Sequence, residues 1–83
     1  MNIQVQTLFF AALSDMLGVQ SLEFELTEPI SAEDLFMKAA LQRKVTEPPS
    51  YPIRYAINEE FASGNTLLKD GDIVAYLPPM SGG

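Results

Sequence analysis

The residues of this sequence that could take part in chemistry lie at its C-terminal end. This segment consists of Pro78, Pro79, Met80, Ser81, Gly82 and Gly83. The two glycines lack a Cβ atom and can therefore pass through a channel too narrow for other residues. The two prolines cannot donate a ladder hydrogen bond, so they end a strand and favour an extended exit at ~3.3 Å per residue. We predict that this tail carries the Gly83 carboxylate to a buried site in another protein.

A diglycine end is by itself a moderate signal, because flexible termini also end in this way. The rest of the composition narrows the chemistry further. The 83 residues include no Cys and no His, which excludes thiolate nucleophiles, Ser-His and Cys-His pairs and the usual zinc sites. We therefore predict a protein that is not catalytic on its own, binds no metal and holds no cofactor of its own.

The net charge of -6, from 11 acidic and 5 basic side chains, disfavours binding to nucleic acid and to anionic membranes. It predicts partners with basic patches, although an acidic surface also serves solubility. The N-terminus has neither the basic region nor the long apolar region of a signal peptide, and no apolar run approaches the ~20 residues of a membrane span. We expect a soluble cytoplasmic protein.

The elements that must hold the tail begin with an alternating strand over Ile3–Phe10. A short helix follows over Ala11–Leu17, and Gly18 suits the left-handed residue that ends a helix. A second strand, Leu22–Leu26, is predicted to pair antiparallel with the first.

The principal helix is predicted over Ala32–Arg43, with Ser31 and Asp34 capping its N-terminus. An apolar stripe at helical spacing would pack on a sheet. On this periodicity Phe36 and Met37 are predicted to fill the core rather than to contact a ligand.

Three prolines between Lys44 and Pro52 predict a surface loop. It is followed by a strand over Ile53–Ile57, a turn, and a short segment that holds Phe61. A strong turn signal at 69–72 then leads into a last strand, Ile73–Leu77, rich in β-branched and aromatic residues.

This order of elements predicts an α+β fold: a mixed sheet of about five strands crossed by one main helix. It is the β-grasp arrangement of ubiquitin-like proteins, in which the first and last strands lie side by side and parallel at the centre of the sheet. Residues 1–77 would form this single domain, which suits a chain of this length. Residues 78–83 would leave it as the tail.

The last strand and the tail resemble the ending of molybdopterin synthase small subunits. The shared features are the Asp70-Gly71-Asp72 turn, the aromatic strand and the Pro-Pro-x-Ser-Gly-Gly close. Leu8-Phe9-Phe10-Ala11 is similar to the family's first strand, and Tyr55-Ala56-Ile57-Asn58-Glu59-Glu60 to its central strand and turn. Ser14-Asp15 departs from the family, where many relatives carry a basic-acidic pair.

This resemblance implies that an adenylating enzyme of the ubiquitin-activating type uses Mg-ATP to join AMP to the Gly83 carboxylate. Sulfur transfer then gives a thiocarboxylate. The tail enters the large synthase subunit, in an assembly of two small and two large subunits, and the sulfur attacks cyclic pyranopterin monophosphate in molybdenum cofactor biosynthesis. The catalytic lysines and the substrate pocket are expected in the large subunit.

Docking on that subunit requires an apolar patch on the domain. If Val5 and Phe9 face the helix, strand parity puts Phe10 and Leu77 on the reverse face of the sheet. We predict that Phe10, Phe61 and Leu77 share this docking surface. The alternative for Phe61 is a place in the core.

Three other functions share these features. A thiamine thiazole sulfur carrier has a similar fold, diglycine end and activation, but usually lacks the Pro-Pro-x-Ser-Gly-Gly tail. A ubiquitin-like protein modifier would join Gly83 to lysine by an isopeptide bond. A passive interaction domain would carry the tail incidentally.

Overall fold

A computed structural model describes residues 2–79, so the predictions made for Met80, Ser81, Gly82 and Gly83 lie outside the described residues. The strands are β1 (Ile3–Phe9), β2 (Ser21–Leu26), β3 (Arg54–Ile57), β4 (Glu60–Ala62) and β5 (Ile73–Leu77), and the helices are α1 (Ala12–Leu17) and α2 (Ala32–Gln42). Each predicted element is present, with bounds that differ by a residue at most. Within residues 2–79, neither helix has the length and apolar character that crossing a membrane requires.

The strands form one mixed sheet in the order β2-β1-β5-β3-β4. The predicted parallel pairing of the first and last strands is confirmed, with Gln6 beside Ile73 and Phe9 beside Tyr76. The other three pairings are antiparallel. The β-grasp prediction is therefore confirmed, and the strand that leads into the tail is the middle strand of the sheet.

Helix α1 links β1 to β2 and ends as predicted. Gly18 adopts φ 77°, and its amide donates to the carbonyl of Ser14. Glycine takes this left-handed conformation without a steric penalty. Ala11, which precedes the helix, also has a positive φ of 53°. The turn at Ala11 explains why the strand stops at Phe9 rather than at Phe10.

Helix α2 packs on one face of the sheet. Ser31 caps it as predicted, since its hydroxyl accepts a hydrogen bond from the Asp34 amide. Phe36 lies in the core, as predicted, together with Leu35 and Ala39. The prediction for Met37 is wrong, because this side chain is 62% exposed. Successive helix positions are rotated by about 100°, so Met37 points about 100° away from Phe36 and lies outside the buried stripe.

An aromatic cluster joins α2 to the sheet. The Phe9 and Tyr76 rings stack at 5.5 Å, and the Phe36 ring lies 5.1 Å from that of Tyr76. Tyr76 is fully buried, and its hydroxyl donates to the carbonyl of Ala32 at 2.8 Å. The one polar atom on this ring thus has a partner, as burial requires.

The β3–β4 hairpin is tied to the start of β5 by polar side chains. Asn58 and Glu59 form the predicted turn, both with positive φ, as a two-residue hairpin turn of type I′ requires. The Asn58 side chain donates to the buried carboxylate of Asp72 and accepts from the amide of Ile73, each at 2.9 Å. The Lys69 amide also donates to Asp72, at 2.7 Å.

Candidate functional site

The root of the tail lies at the end of the middle strand. Strand β5 ends at Leu77, and the half-buried Pro78 and Pro79 continue the chain without joining a strand. Neither proline can donate a ladder hydrogen bond, which explains the end of the strand. Strands β1 and β3 hold β5 on both sides. Pro78 and Pro79 thus continue directly from the middle strand of the sheet, which is paired along both edges.

Within residues 2–79, no helix covers the sheet face opposite α2. Its side chains follow from strand register: Leu8 lies beside Ala75, Ala75 beside Ala56, and Ala56 beside Phe61. Side chains of directly paired residues point to the same face. We call this surface the open face and define it by Leu8, Arg54, Ala56, Phe61, Ile73, Ala75 and Leu77 of the strands, together with Phe10. Phe10 follows β1 by one residue, and its amide donates to the carbonyl of Tyr76 at 3.2 Å.

The open face brings together the three side chains predicted for docking. Phe10 is 45% exposed and Phe61 is 71% exposed, while Leu77 is half-buried. The alternative that Phe61 fills the core is therefore wrong. Ile73, at 43% exposure, extends the apolar surface. Several large apolar side chains gathered on one uncovered sheet face are typical of a protein-binding surface.

Arg54 is a member of the open face that sequence reasoning missed. It pairs with Leu77 across β3 and β5, so both side chains lie on the same face. Its guanidinium carbon lies 4.8 Å from the centre of the Phe61 ring, a cation–π contact. The alternation Arg54-Tyr55-Ala56 carried a signal, since Tyr55 packs against the core while its neighbours point outward. With only four residues in β3, the alternation is too short to determine which of its side chains face the core.

The titratable groups with shifted pKa values belong to the covered side of the sheet. Burial raises the pKa of the Tyr76 phenol far above its ordinary range, and nearby Tyr55 raises it further. Burial and the Glu33 charge raise the pKa of Tyr55 as well. Both phenols are held in the neutral form. Within residues 2–79, no group of three or more Asp or Glu side chains could hold a metal ion.

The arrangement of residues 2–79 can thus present a binding surface and position the tail rather than carry out a reaction. It provides an apolar face with one embedded cation, next to the strand from which the tail departs. The predicted reacting group, the carboxylate of Gly83, lies outside the described residues.

Comparison with known proteins finds a matching family model and relatives that are described as sulfur carrier subunits. The family model described as "ThiS family" matches residues 7–83. A molybdopterin synthase sulfur carrier subunit from Chlamydomonas reinhardtii is 32% identical, covering 98% of this chain and 100% of that protein. A human protein of the same description is 30% identical, covering 96% of this chain and 94% of that protein.

Solved structures share the fold. A putative molybdopterin converting factor subunit 1 from Pyrococcus furiosus is similar at TM-score 0.78 with 26% identity, covering 94% of this chain and 99% of that one. A chain from the complex of subunits 1 and 2 of molybdopterin-converting factor from Helicobacter pylori is similar at TM-score 0.60 with 27% identity, covering 98% and 100%. Small archaeal modifier protein 1 from Methanosarcina acetivorans is similar at TM-score 0.72 with 24% identity, covering 100% and 99%, which shows a shared fold alone.

Proposed function

This chain belongs to the ThiS family, and from that premise we propose that it is the sulfur carrier and small subunit of a molybdopterin synthase. The observation that carries the proposal is the Gly82-Gly83 end on a chain that matches such subunits over nearly its whole length. The fold supports it, because the middle strand of the sheet leads directly into this end.

The reacting group is the terminal carboxylate of Gly83. Ionised at neutral pH, it resists nucleophiles until a good leaving group is attached. A ubiquitin-activating-type enzyme supplies Mg-ATP, and a carboxylate oxygen attacks the α-phosphate and expels pyrophosphate. A sulfide-level sulfur nucleophile then attacks the Gly83 carbonyl carbon and expels AMP, leaving a thiocarboxylate. In the synthase, this sulfur attacks cyclic pyranopterin monophosphate and joins Gly83 to the pterin through a thioester. Water then cleaves the bond between the Gly83 carbonyl carbon and the sulfur, which leaves the sulfur on the pterin and returns Gly83 to a carboxylate.

The large subunit is the partner that we assign to the open face. The Helicobacter pylori structure holds the corresponding two subunits in one complex. In our proposal, Phe10, Phe61 and Leu77 dock on the large subunit while the tail enters its active site. Two small and two large subunits would form the assembly.

Two rival functions lead to different products. A thiamine thiazole carrier would have the same thiocarboxylate but would feed thiazole formation. A protein modifier would give lysine conjugates heavier by this chain's 9.1 kDa. The likeness to the archaeal modifier supports the fold without favouring that function. We therefore retain the molybdopterin role.

The test removes Gly83 or adds one residue after it. We expect both variants to fold with an unchanged thermal midpoint and to form no molybdopterin with activating enzyme, sulfur donor and large subunit. The intact mass of wild-type protein from its native host should show a species in which sulfur replaces one oxygen. Normal pterin synthesis by either variant would refute the carrier mechanism.

A further inference from the structure

Arg54 places a charge within an otherwise apolar docking surface. Among residues 2–79, it is the one basic side chain carried by the five strands. It is exposed, and its guanidinium lies over the Phe61 ring at 4.8 Å. Because Phe61 and Leu77 flank it on the same face, a partner that covers these two residues must also cover Arg54.

Covering Arg54 removes water from a group that carries five N–H donors. An aromatic ring interacts with the cation but offers no oxygen lone pairs for those donors. A buried charge without a hydrogen-bonding partner is strongly unfavourable. The surface that docks here must therefore provide oxygen acceptors opposite Arg54.

A carboxylate meets this requirement best. Its two oxygens match the planar fork of a guanidinium and neutralise its charge. The chain as a whole is acidic, with a net charge of -6, so the partner surface should be basic in general and acidic at this one point. An acidic residue of the partner at this point would discriminate among partners, since a partner with a cation opposite Arg54 would be repelled.

We propose that Arg54 forms an ion pair with an Asp or Glu side chain of the large subunit, at the mouth of the channel that the tail enters. This inference rests on the proposed function. Arg54 is paired with Leu77, the last strand residue before the two prolines. An ion pair at this position fixes the direction in which the tail leaves the sheet, which makes Arg54 a positioning and specificity residue.

The test compares Arg54→Met with Lys38→Met, which removes the same charge from an exposed position on α2, on the other side of the sheet. Binding to the natural large subunit is measured by titration calorimetry at low and high salt. We expect Arg54→Met to weaken binding at least about tenfold at low salt and to reduce the salt dependence. Lys38→Met should retain the wild-type affinity and salt response.

Arg54→Lys keeps the charge but loses the planar fork, so its affinity should fall between those of wild type and Arg54→Met. Pterin formation at saturating large subunit should also slow for Arg54→Met, since the tail is less well oriented. The thermal midpoints of Arg54→Met, Arg54→Lys and Lys38→Met should match that of the wild type, because Arg54 and Lys38 are both exposed.

Phe10→Asp separates this inference from the docking proposal. If it binds like the wild type, the open face is not the docking surface and the docking proposal fails. If it fails to bind while Arg54→Met binds like wild type at both salt concentrations, the inference about Arg54 alone is overturned.

Discussion

Gly82 has no side chain next to the residue whose carbonyl is to react. We predict that Gly82→Ala folds normally and is activated slowly, because one added methyl group must fit the channel that guides Gly83 to ATP. A displacement of ~1 Å can cost on the order of 100-fold in rate when reacting groups must be aligned. Pyrophosphate exchange measures activation, and pterin formation measures transfer.

A chemically prepared Gly82→Ala protein that already carries the thiocarboxylate bypasses adenylation. Near-normal pterin formation would locate the constraint in the activating enzyme, and failure of both steps would show an equally narrow synthase channel. Wild-type rates in both assays would show that the glycine is not sterically required.

Substitutions of Phe10 and Leu77 can distinguish an effect on partner binding from an effect on folding stability. We predict that Phe10→Ala and Leu77→Ala each weaken large-subunit binding by ~1 to 3 kcal/mol, as buried anchors at an interface do. The loss of folding stability should be smaller for Phe10, which is 45% exposed, than for the half-buried Leu77. Calorimetry with unchanged affinity, or a melt with strong destabilisation, would assign these side chains to the fold instead.

The contact of strand β5 with helix α2 through Tyr76 gives a prediction at the scale of elements. Tyr76→Phe removes the hydrogen bond to the Ala32 carbonyl and should cost about 0.5 to 1.5 kcal/mol at neutral pH. The ring and its aromatic contacts remain, so the cost should stay below that of a cavity. Urea unfolding of the variant beside wild type measures it.

The same residue sets a pH dependence. Burial raises the pKa of Tyr76 in the folded protein, whereas an unfolded tyrosine ionises near pH ~10. Above that pH the unfolded state releases a proton that the folded state keeps, so stability present below pH ~10 is lost as the pH rises, at about 1.4 kcal/mol per unit. Tyr76→Phe should flatten this decline more than Tyr55→Phe. An equal decline in wild type and Tyr76→Phe would contradict the prediction.

The elements themselves could largely be predicted from the sequence, because their signals are local. The alternation after Ile3, the left-handed residue at Gly18 and the cap at Ser31 each act within a few residues. The prediction for Met37 is wrong because its position, about 100° from Phe36, lies outside the stripe that Leu35, Phe36 and Ala39 form at helical spacing. Arg54 was missed because the side to which a four-residue strand turns depends on its pairing with β5.

At the scale of the whole molecule, Asp72 connects segments that are distant in sequence. It is 5% exposed and accepts hydrogen bonds from Asn58 and Lys69. We predict that Asp72→Ala destabilises the fold by ~2 to 3 kcal/mol, because the donors lose a charged acceptor. Asp15→Ala, an exposed residue of α1 with the same charge change, is the control and should change stability by less than ~0.5 kcal/mol. Equal effects in chemical denaturation would argue against the connection.

The burial of Asp72 also shows why part of the fold could not be predicted. Its turn was identified from Asp70-Gly71-Asp72, but nothing local distinguishes the buried carboxylate from the exposed one. What distinguishes Asp72 is the hydrogen bond that it accepts from Asn58, a residue 14 positions away in the sequence. The open face depends on the same long-range register, which a single sequence does not display.

The parallel pairing of β1 and β5 has a mechanical consequence. A force that pulls residues 2 and 79 apart draws the two strands past each other lengthwise, so the hydrogen bonds along the paired stretch, from Gln6 beside Ile73 to Phe9 beside Tyr76, share the load. Pulling on residues 2 and 27 instead opens the antiparallel β1–β2 pair from one end, bond by bond. Since the chain has no Cys, single cysteines can attach handles at either pair. We therefore expect the parallel β1–β5 pair to separate at a higher force than the antiparallel β1–β2 pair at the edge of the same sheet.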